Sequence, residues 1–518
     1  MSNGDGSAVR AFHDQTKHSP ASLRANRHSL DWANQPLPFK IYDTLEPIAL
    51  PRELPPIDVP ALEAIARVES ATEAECIPDL TTLTQLLYYS AGITRRITYP
   101  GGEIFYRAAA CTGALYHVDL YVVCGDLPAL AAGVYHFGPH DRSLRRLRAG
   151  DHRLTLVEAT GEEPAVAAAP AILVCASTYW RNAWKYQARA YRHCFWDTGT
   201  LLANLLAIAA AREVPARVVA GFVDRAVERL LDLDPGREAA IALVSLGHTR
   251  SRPRPAPEEP PLGLHTVPLS AREVAYPAMQ AAHLATSLAT PDQVRAWRGR
   301  TPQAVLPPPP GSHFALTPLP GASRPRDPID RVILRRGSTR EFGRVPIGAS
   351  ALSTALEQAT RGVPADFLEP PGTSLNDIYV IVNAVEGLPA GAYVLQRERA
   401  ALGLLQEGDF RRDAGYLGLG QGIPADASVD VFLLADLDRA LARYGDRGYR
   451  AAALEAGIIG GRLYLAAYAQ RVGASGLTFF DDDVTAFFSP HARGKSVLFL
   501  VALGISARRA ARQKTTPA

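Results

Sequence analysis

"KYQARAYRHCFWDTG", residues 185–199, returns 258 positions later as "RYGDRGYRAAALEAG", residues 443–457. The same offset carries DLYVV (119–123) onto DIYVI (377–381), GVYHF (133–137) onto GAYVL (391–395) and AREVPA (211–216) onto AQRVGA (469–474). With one residue lost, LVSLG (243–247) meets LVALG (500–504). A register held over so many separate segments marks a tandem duplication with diverged copies.

Each copy yields the same coarse reading. An amphipathic helix (83–90; 352–359) precedes a strand rich in β-branched and aromatic residues (119–124; 377–382), and a second apolar strand follows (171–177; 429–435). A polar helix, a long apolar helix (195–211; 453–469) and a last strand complete the unit. Such a series predicts helices packed on a mixed sheet, an α+β fold of α/β-sandwich type. At 518 residues the chain exceeds what one core holds. The expected division is 1–249, with its core from about residue 80, then a connector at 250–328, a second domain at 329–509 and a tail at 510–518. Runs such as RSRPRPAPEEPPLG favour extended spacing over a core, apart from a helical patch at 272–299 with no evident role.

Composition narrows the function class. Fifty-five basic residues face 52 acidic ones without a long run of either sign, which argues against a nucleic-acid protein. Five scattered cysteines without a CxxC pair suit a reducing compartment. The N-terminus lacks an apolar signal segment, and the most membrane-like stretch, 198–211, is too short to span. The expectation is a soluble cytoplasmic protein with no membrane partner. No His/Cys cluster has zinc spacing, and Asp481-Asp482-Asp483 reads as a helix start rather than a metal site.

Three clusters carry chemistry. The first is RRGSTREF, 335–342, where Arg336, Ser338 and Arg340 suit an anion such as phosphate; a solvated basic helix end is the plain alternative. Asp327 is expected to cap the preceding helix, Pro328 to sit in its first turn and Gly337 to make a left-handed exit. The second is the turn Cys111-Thr112-Gly113-Ala114, whose small residues let backbone N–H groups approach a planar ligand. In copy 2, Pro370 and Pro371 replace Thr112 and Gly113 and remove two donors. Counting back from the matched Gly92 and Gly362 sets RRGSTREF on IARVESAT, 65–72, where one arginine remains and Glu69, Glu73 and Glu75 bring opposing charge. Each copy thus keeps the half that the other has lost. The third cluster is Lys185-Tyr186, a base if the lysine pKa is lowered by Arg181, Arg189 and Arg192, or else a surface lysine beside a core tyrosine. LGLGQG at 417–422 lacks the strand and spacing of a dinucleotide loop.

Together LLYYSAGITRR (86–96), CTGALYHVDLYVV (111–123), GVYHF, KYQARAYR…DTG and RRGSTREF resemble the nitroreductase-like flavoproteins, and within them the SagB-type dehydrogenases that oxidise azolines in peptides. The resemblance implies two nitroreductase-like domains in tandem forming an intrachain pseudo-dimer. It implies FMN as cofactor, its phosphate held by Arg336, Ser338 and Arg340 with help from Arg508 or Arg509. Cys111, Thr112, Gly113 and Ala114 of the other copy would line the flavin, and Lys185-Tyr186 would be the proton-abstracting pair. A peptide substrate follows, together with association with a cyclodehydratase complex. The complementary losses then predict one flavin site per chain. Two alternatives stand beside this: an NAD(P)H-dependent nitroreductase or other small-molecule FMN oxidoreductase, and a flavin-free scaffold in a peptide-modifying complex.

Overall fold

The computed structural model describes residues 3–67, 74–100, 102–302 and 306–515. Each copy builds a seven-stranded sheet. The first comprises β1 (Pro47–Ala49), β2 (Val118–Cys124), β3 (Gly133–Gly138), β4 (Ser143–Ala149), β5 (Ala171–Thr178), β6 (Ala216–Val219) and β7 (Glu238–Leu246). The second comprises β8 (His313–Ala315), β9 (Asn376–Val382), β10 (Gly391–Gln396), β11 (Ala401–Glu407), β12 (Val429–Ala435), β13 (Gly473–Leu477) and β14 (Ser496–Gly504). The orders are β1-β4-β3-β2-β5-β7-β6 and β8-β11-β10-β9-β12-β14-β13, the same path twice.

The pairings in both sheets are antiparallel, which corrects the mixed sheet read from the sequence. A loop at 125–132 and a four-residue turn at 139–142 join β2, β3 and β4, direct connections that antiparallel neighbours permit. The edge strand β6 is laid down between β5 and β7, so β7 alone reverses in that half of the sheet. Leu173 pairs with Val244 and Val431 with Val501, so the lost residue leaves the core register intact. Both copies carry a bulge at the same place, after Cys175 and after Leu433.

The central element of each copy is a 22-residue helix, Ala190–Ala211 and Gly448–Ala469, several residues longer at the N-terminal end than the apolar runs indicated. A helix apolar all round belongs in a core. The stretch Tyr179–Ala211 has the length and apolarity of a membrane span, yet its most apolar 18 residues are buried inside the protein. The two helices cross at equivalent glycines. A Cβ on Gly199 would stand 2.6 Å from the Cα of Gly457, and one on Gly461 would stand 2.5 Å from the Cβ of Ala203.

Two buried ion clusters flank this crossing. Asp481 of copy 2 binds Arg189 and Arg192 of copy 1 at 3.0 and 2.6 Å, and Asp224 of copy 1 binds Arg447 and Arg450 of copy 2 at 2.6 and 2.7 Å. Buried charges persist only when paired and hydrogen-bonded, and each arginine finds further acceptors. Arg192 donates to the His13 carbonyl and to Thr16 Oγ1. Arg450 donates to the His283 carbonyl and to Thr286 Oγ1.

Those acceptors show that the helical patch of 250–328 repeats the N-terminal arm. Helices Ser7–Gln15 and Pro20–Ala25 correspond to Pro277–Ala285 and Pro291–Trp297, the second of each pair capped by Ser19 or Thr290 with proline next. Further on, Pro60 and Pro328 pair with one another across the two copies, through Ala61 N–H to Asp327 O (2.9 Å) and Ile329 N–H to Val59 O (3.0 Å). The helices that follow, Ala61–Ala66 and Ile329–Arg335, are therefore equivalent.

This equivalence moves the arginine motif by two residues. Arg67 donates to the Ala210 carbonyl (3.1 Å) and Arg335 to the Tyr468 carbonyl (2.8 Å), two acceptors 258 apart. RRGSTREF therefore falls on RVESATEA, 67–74, with Val68 in place of Arg336 and Thr72 in place of Arg340. Val68, Glu69, Thr72 and Glu73 lie outside the described residues, while Glu75 accepts from Thr249 Oγ1 at 3.0 Å. The helix caps also differ from expectation. Pro328 is the N-cap, and Gly337 is not left-handed. Asp327 instead pairs with Arg335 (2.7 Å) and Arg471 (2.8 Å).

Candidate functional site

A cavity of about 770 Å³ opens where copy 2's arginine motif faces copy 1's turn, a size within the range of ligand pockets. Cys111, Thr112, Gly113, Lys185 and Tyr186 border it from one copy, and Ser338 and Arg340 from the other.

The turn Thr112–Ala114 is held from below by a residue that sequence reasoning missed. Asp197, on the long helix, accepts from the Thr112 N–H (3.0 Å), Thr112 Oγ1 (2.9 Å) and Cys111 Sγ (3.3 Å), and bonds His117 Nε2 (2.8 Å). A lone carboxylate in the apolar text FWDTGTLLANLL was the available signal. Burial and the Asp197 carboxylate push the Cys111 thiol well above its usual range, so it serves as a donor. Gly113 sits at φ 65, and a Cβ there would lie 2.8 Å from Tyr186 Oη, so the close approach requires glycine. Ala114 completes the turn without bordering the cavity.

Lys185 and Tyr186 end the helix Tyr179–Tyr186, and Gln187, at φ 50, turns the chain sharply. The Tyr186 ring stands edge-on to His193, with centroids 4.8 Å apart. His193 is itself bonded to Asn182, Nδ1 to Oδ1 at 2.7 Å. Burial, then Asp197 and Cys111, push the Tyr186 phenol above its ordinary value, so it stays protonated. Lys185 Nζ lies 5.4 Å from the Tyr186 ring centroid. The three arginines expected to act on Lys185 are each bound to a buried carboxylate: Arg181 to Asp119, and Arg189 and Arg192 to Asp481. Arg189 and Arg192 share the one carboxylate of Asp481, so that cluster keeps a net positive charge.

The arginine motif divides its work. Arg340 is exposed at the cavity and makes no ion pair among the described residues. Ser338 bonds the Tyr464 phenol at 3.2 Å, and Tyr464 also accepts from the Gly476 N–H. Arg336 does not border the cavity; it donates to the carbonyls of Ala108 (2.8 Å) and Arg107 (3.2 Å) and ties copy 2 to the strand entering copy 1's turn. Arg508 is exposed on the helix Ala507–Thr515 and is absent from the cavity wall. The N-terminal arm (Gln15 to His18, Ser22, Leu23, Asn26) and Leu419 and Gln421 of the LGLGQG segment complete the enclosure.

The equivalent junction on the other side is filled by the chain itself. Residues 363–369 run along the edge strand β6, with Val218 N–H donating to Pro364 O (2.8 Å) and Asp366 N–H to Val218 O (3.0 Å). The Asp366 carboxylate accepts from the N–H groups of Ala220 and Gly221 at 2.8 and 2.9 Å, and burial pushes its pKa up to about 6. Tyr444, the counterpart of Tyr186, donates to Phe367 O at 3.0 Å. Trp297 closes the space between Tyr444 and Gly221. In this half, Glu455 takes the place of Asp197 and holds the turn through Ser374, Leu375 and Asn376.

The family model described as the nitroreductase family matches residues 85–248 and 333–505, one match to each copy. The chain belongs to the nitroreductase family. The nitroreductase protein MJ1384 of Methanocaldococcus jannaschii is 24% identical over 197 residues, covering 38% of this chain and 94% of its own, the extent of a single copy. A nitroreductase crystal structure from Anabaena variabilis is similar over the whole architecture, with TM-score 0.75, 26% identity, 96% of this chain and 99% of its own. A chain of the Escherichia coli microcin synthetase McbBCD complex is 18% identical over 48% of this chain and 94% of its own, with a TM-score of 0.32, too low to carry a functional inference.

The donor set at the open junction of this nitroreductase-family chain fits a flavin nucleotide. Thr478 and Phe479 occupy the positions of Ala220 and Gly221, and their N–H groups have no acceptor among the described residues. Thr478 Oγ1, Trp196 Nε1 and Arg189 Nη2 are buried beside the cavity without partners. Buried donors left unpaired by protein are what a ligand's acceptors satisfy. Two His/carboxylate clusters could suggest a metal, Cys111-His117-Asp197 and Asp224-Glu228-His283. In each, the aspartate is taken up by the bonds described above.

Proposed function

We propose that this chain is an FMN-dependent dehydrogenase that oxidises thiazoline or oxazoline rings of a modified peptide to thiazoles or oxazoles. Family membership supplies the coarser statement, a flavin-dependent oxidoreductase. The observation that carries the finer one is the convergence in one cavity of Ser338 and Arg340 with the Thr112-Gly113 turn and the Lys185-Tyr186 pair.

Ser338 and Arg340 would hold the phosphate of FMN, and the turn residues with the N–H groups of Thr478 and Phe479 would face its ring system. Bound FMN supplies the hydride acceptor, and dioxygen can reoxidise it. Lys185 Nζ, as the free amine, would take the ring proton of the azoline, while the Tyr186 phenol stays protonated and acts as a hydrogen-bond donor that orients substrate. Asp197 keeps the turn at the spacing that Gly113 permits. Incubating an azoline-bearing peptide with the purified protein and finding a mass loss of two hydrogens supports this reading; an unchanged mass with flavin present refutes it.

A second reading, reduction of nitroaromatics or quinones with NAD(P)H, is favoured by the protonated Tyr186, which suits proton delivery as well as substrate orientation. Rapid bleaching of the flavin by NADH would select it.

A further inference from the structure

The two junctions are an internal comparison of one site open and one closed. In the filled junction the turn at Gly161, between the helices Arg153–Ala159 and Pro164–Ala167, meets the arm helix Pro291–Trp297 directly. A Cβ on Gly161 would lie 2.9 Å from Pro291 O and 3.0 Å from Arg295 Cγ. Arg298 then seals the contact through Glu163 (3.2 Å) and the Gly161 carbonyl (3.4 Å). The open junction has Leu419 where the other has Gly161, in the same left-handed conformation (φ 65 against φ 56). A leucine accepts that conformation only at a cost of about 1 kcal/mol or more. Leu419 borders the open cavity, whereas Gly161 is covered by the arm helix. At the end of the arm helix, Asn26 follows Ala25 where Trp297 ends the equivalent helix and fills the other junction.

The wall left by this difference has a distinct chemistry. Gln15, Ser22, Asn26 and Gln421 border the cavity as uncharged polar residues. The Ser22 hydroxyl is held in the arm helix's cap and Gln421 donates to the Gly418 carbonyl (2.9 Å). That leaves the amides of Gln15 and Asn26 and the Gln421 carbonyl oxygen to face a ligand. His18 is kept neutral, with burial and Arg189 pushing it down to about 3. Among cations bordering the cavity, Lys17 bridges Asp14 and Asp482 at 2.8 Å each and Arg189 pairs with Asp481. Only Arg340 and Lys185 are left without carboxylate partners among the described residues, and the proposed function engages both. Such a surface matches ligand amides and carries no further site for a phosphate-rich one.

We propose that residues 15–26, with Leu419 and Gln421, form the substrate-recognition wall of the open junction and take an uncharged peptide segment, held open by Leu419 and by asparagine at position 26. This deepens the reading above and rests on it for the chemistry performed there, but the wall is testable by binding alone. The probe is an N-acetylated, C-amidated, Gly/Ser-rich peptide carrying one thiazoline, titrated calorimetrically into the flavin-loaded protein. Asn26→Trp, which installs the closing residue of the other junction, is expected to weaken binding at least about tenfold. Asn26→Ala, which removes the amide without filling the junction, should weaken binding less than Asn26→Trp does, and both variants should keep the flavin content. Leu419→Gly should also weaken binding by letting the arm close.

Equal affinity in Asn26→Trp and wild type overturns the proposal, as does an absence of binding to wild type. Tighter binding of a version flanked by aspartates or lysines overturns it too. Binding without dehydrogenation leaves the wall standing and refutes the azoline chemistry instead.

Discussion

Gly199 and Gly457 stand back to back where the two long helices cross, and neither has room for a methyl group. A Cβ on Gly457 would lie 2.5 Å from the Trp196 carbonyl oxygen and 3.0 Å from the Gly199 Cα. Gly457→Ala is therefore expected to force the helices apart and cost about 1–3 kcal/mol, as overpacking does. Denaturant midpoints measure this. Because the two positions touch, the double alanine variant should depart from additivity.

The paired ion clusters separate stability from ligand binding. Asp481→Asn and Asp224→Asn each leave two buried arginines underneutralised and should cost about 3–5 kcal/mol in urea unfolding. Only Asp481 holds an arginine that borders the open cavity. Its variant should also change flavin affinity, whereas the Asp224 variant should leave affinity alone.

Flavin released from pure protein should amount to one molecule per chain, because residues 363–369 and Trp297 occupy the second junction. Two per chain would contradict the filled junction, and a colourless protein would favour a scaffold.

Lys185→Ala should keep the yellow colour while turnover of an azoline peptide falls about 10²–10⁴-fold, the usual contribution of a positioned base. Tyr186→Phe should act more on KM than on kcat if the phenol orients substrate. Steady-state kinetics with flavin content checked in parallel decides both.

Acid stability provides a fifth check. His136 is fully buried between the rings of Tyr42 and Tyr121, with neither ring nitrogen bonded, and burial pushes it down to about 3. Its folded pKa lies below the unfolded value, so between about pH 6.5 and 3 the unfolded chain binds the extra proton. The stabilisation is complete above that window and is lost as pH falls through it, by up to about 1.4 kcal/mol per pH unit. His136→Phe should flatten the fall in urea midpoint between pH 7 and 5.

The repeat at 258 made the architecture legible, because strand text such as DLYVV and DIYVI survives divergence. Sheet direction was not legible, since pairing partners leave no local mark. The repeated arm escaped notice for a related reason. Its retained contacts run through the carbonyls of His13 and His283, which any residue supplies, and only Thr16 and Thr286 contribute matching side chains. Arg336 and Arg340 look alike in the sequence, yet carbonyls within reach occupy one and leave the other at the cavity. Asp481 read only as part of a helix start and Asp224 gave no signal, because their arginine partners come from the opposite copy, more than two hundred residues away.

The covalent join between the copies has an evolutionary consequence. In a dimer of identical chains, every substitution appears at both junctions, so a residue that seals one seals the other. Fusion lifts that constraint. One junction could harden into structural filler, with Trp297 and Asp366 lending rigidity, while its twin stayed free to widen around a guest. The filled side works as a buttress, and the selection for firmness and the selection for access act on different stretches of a single gene.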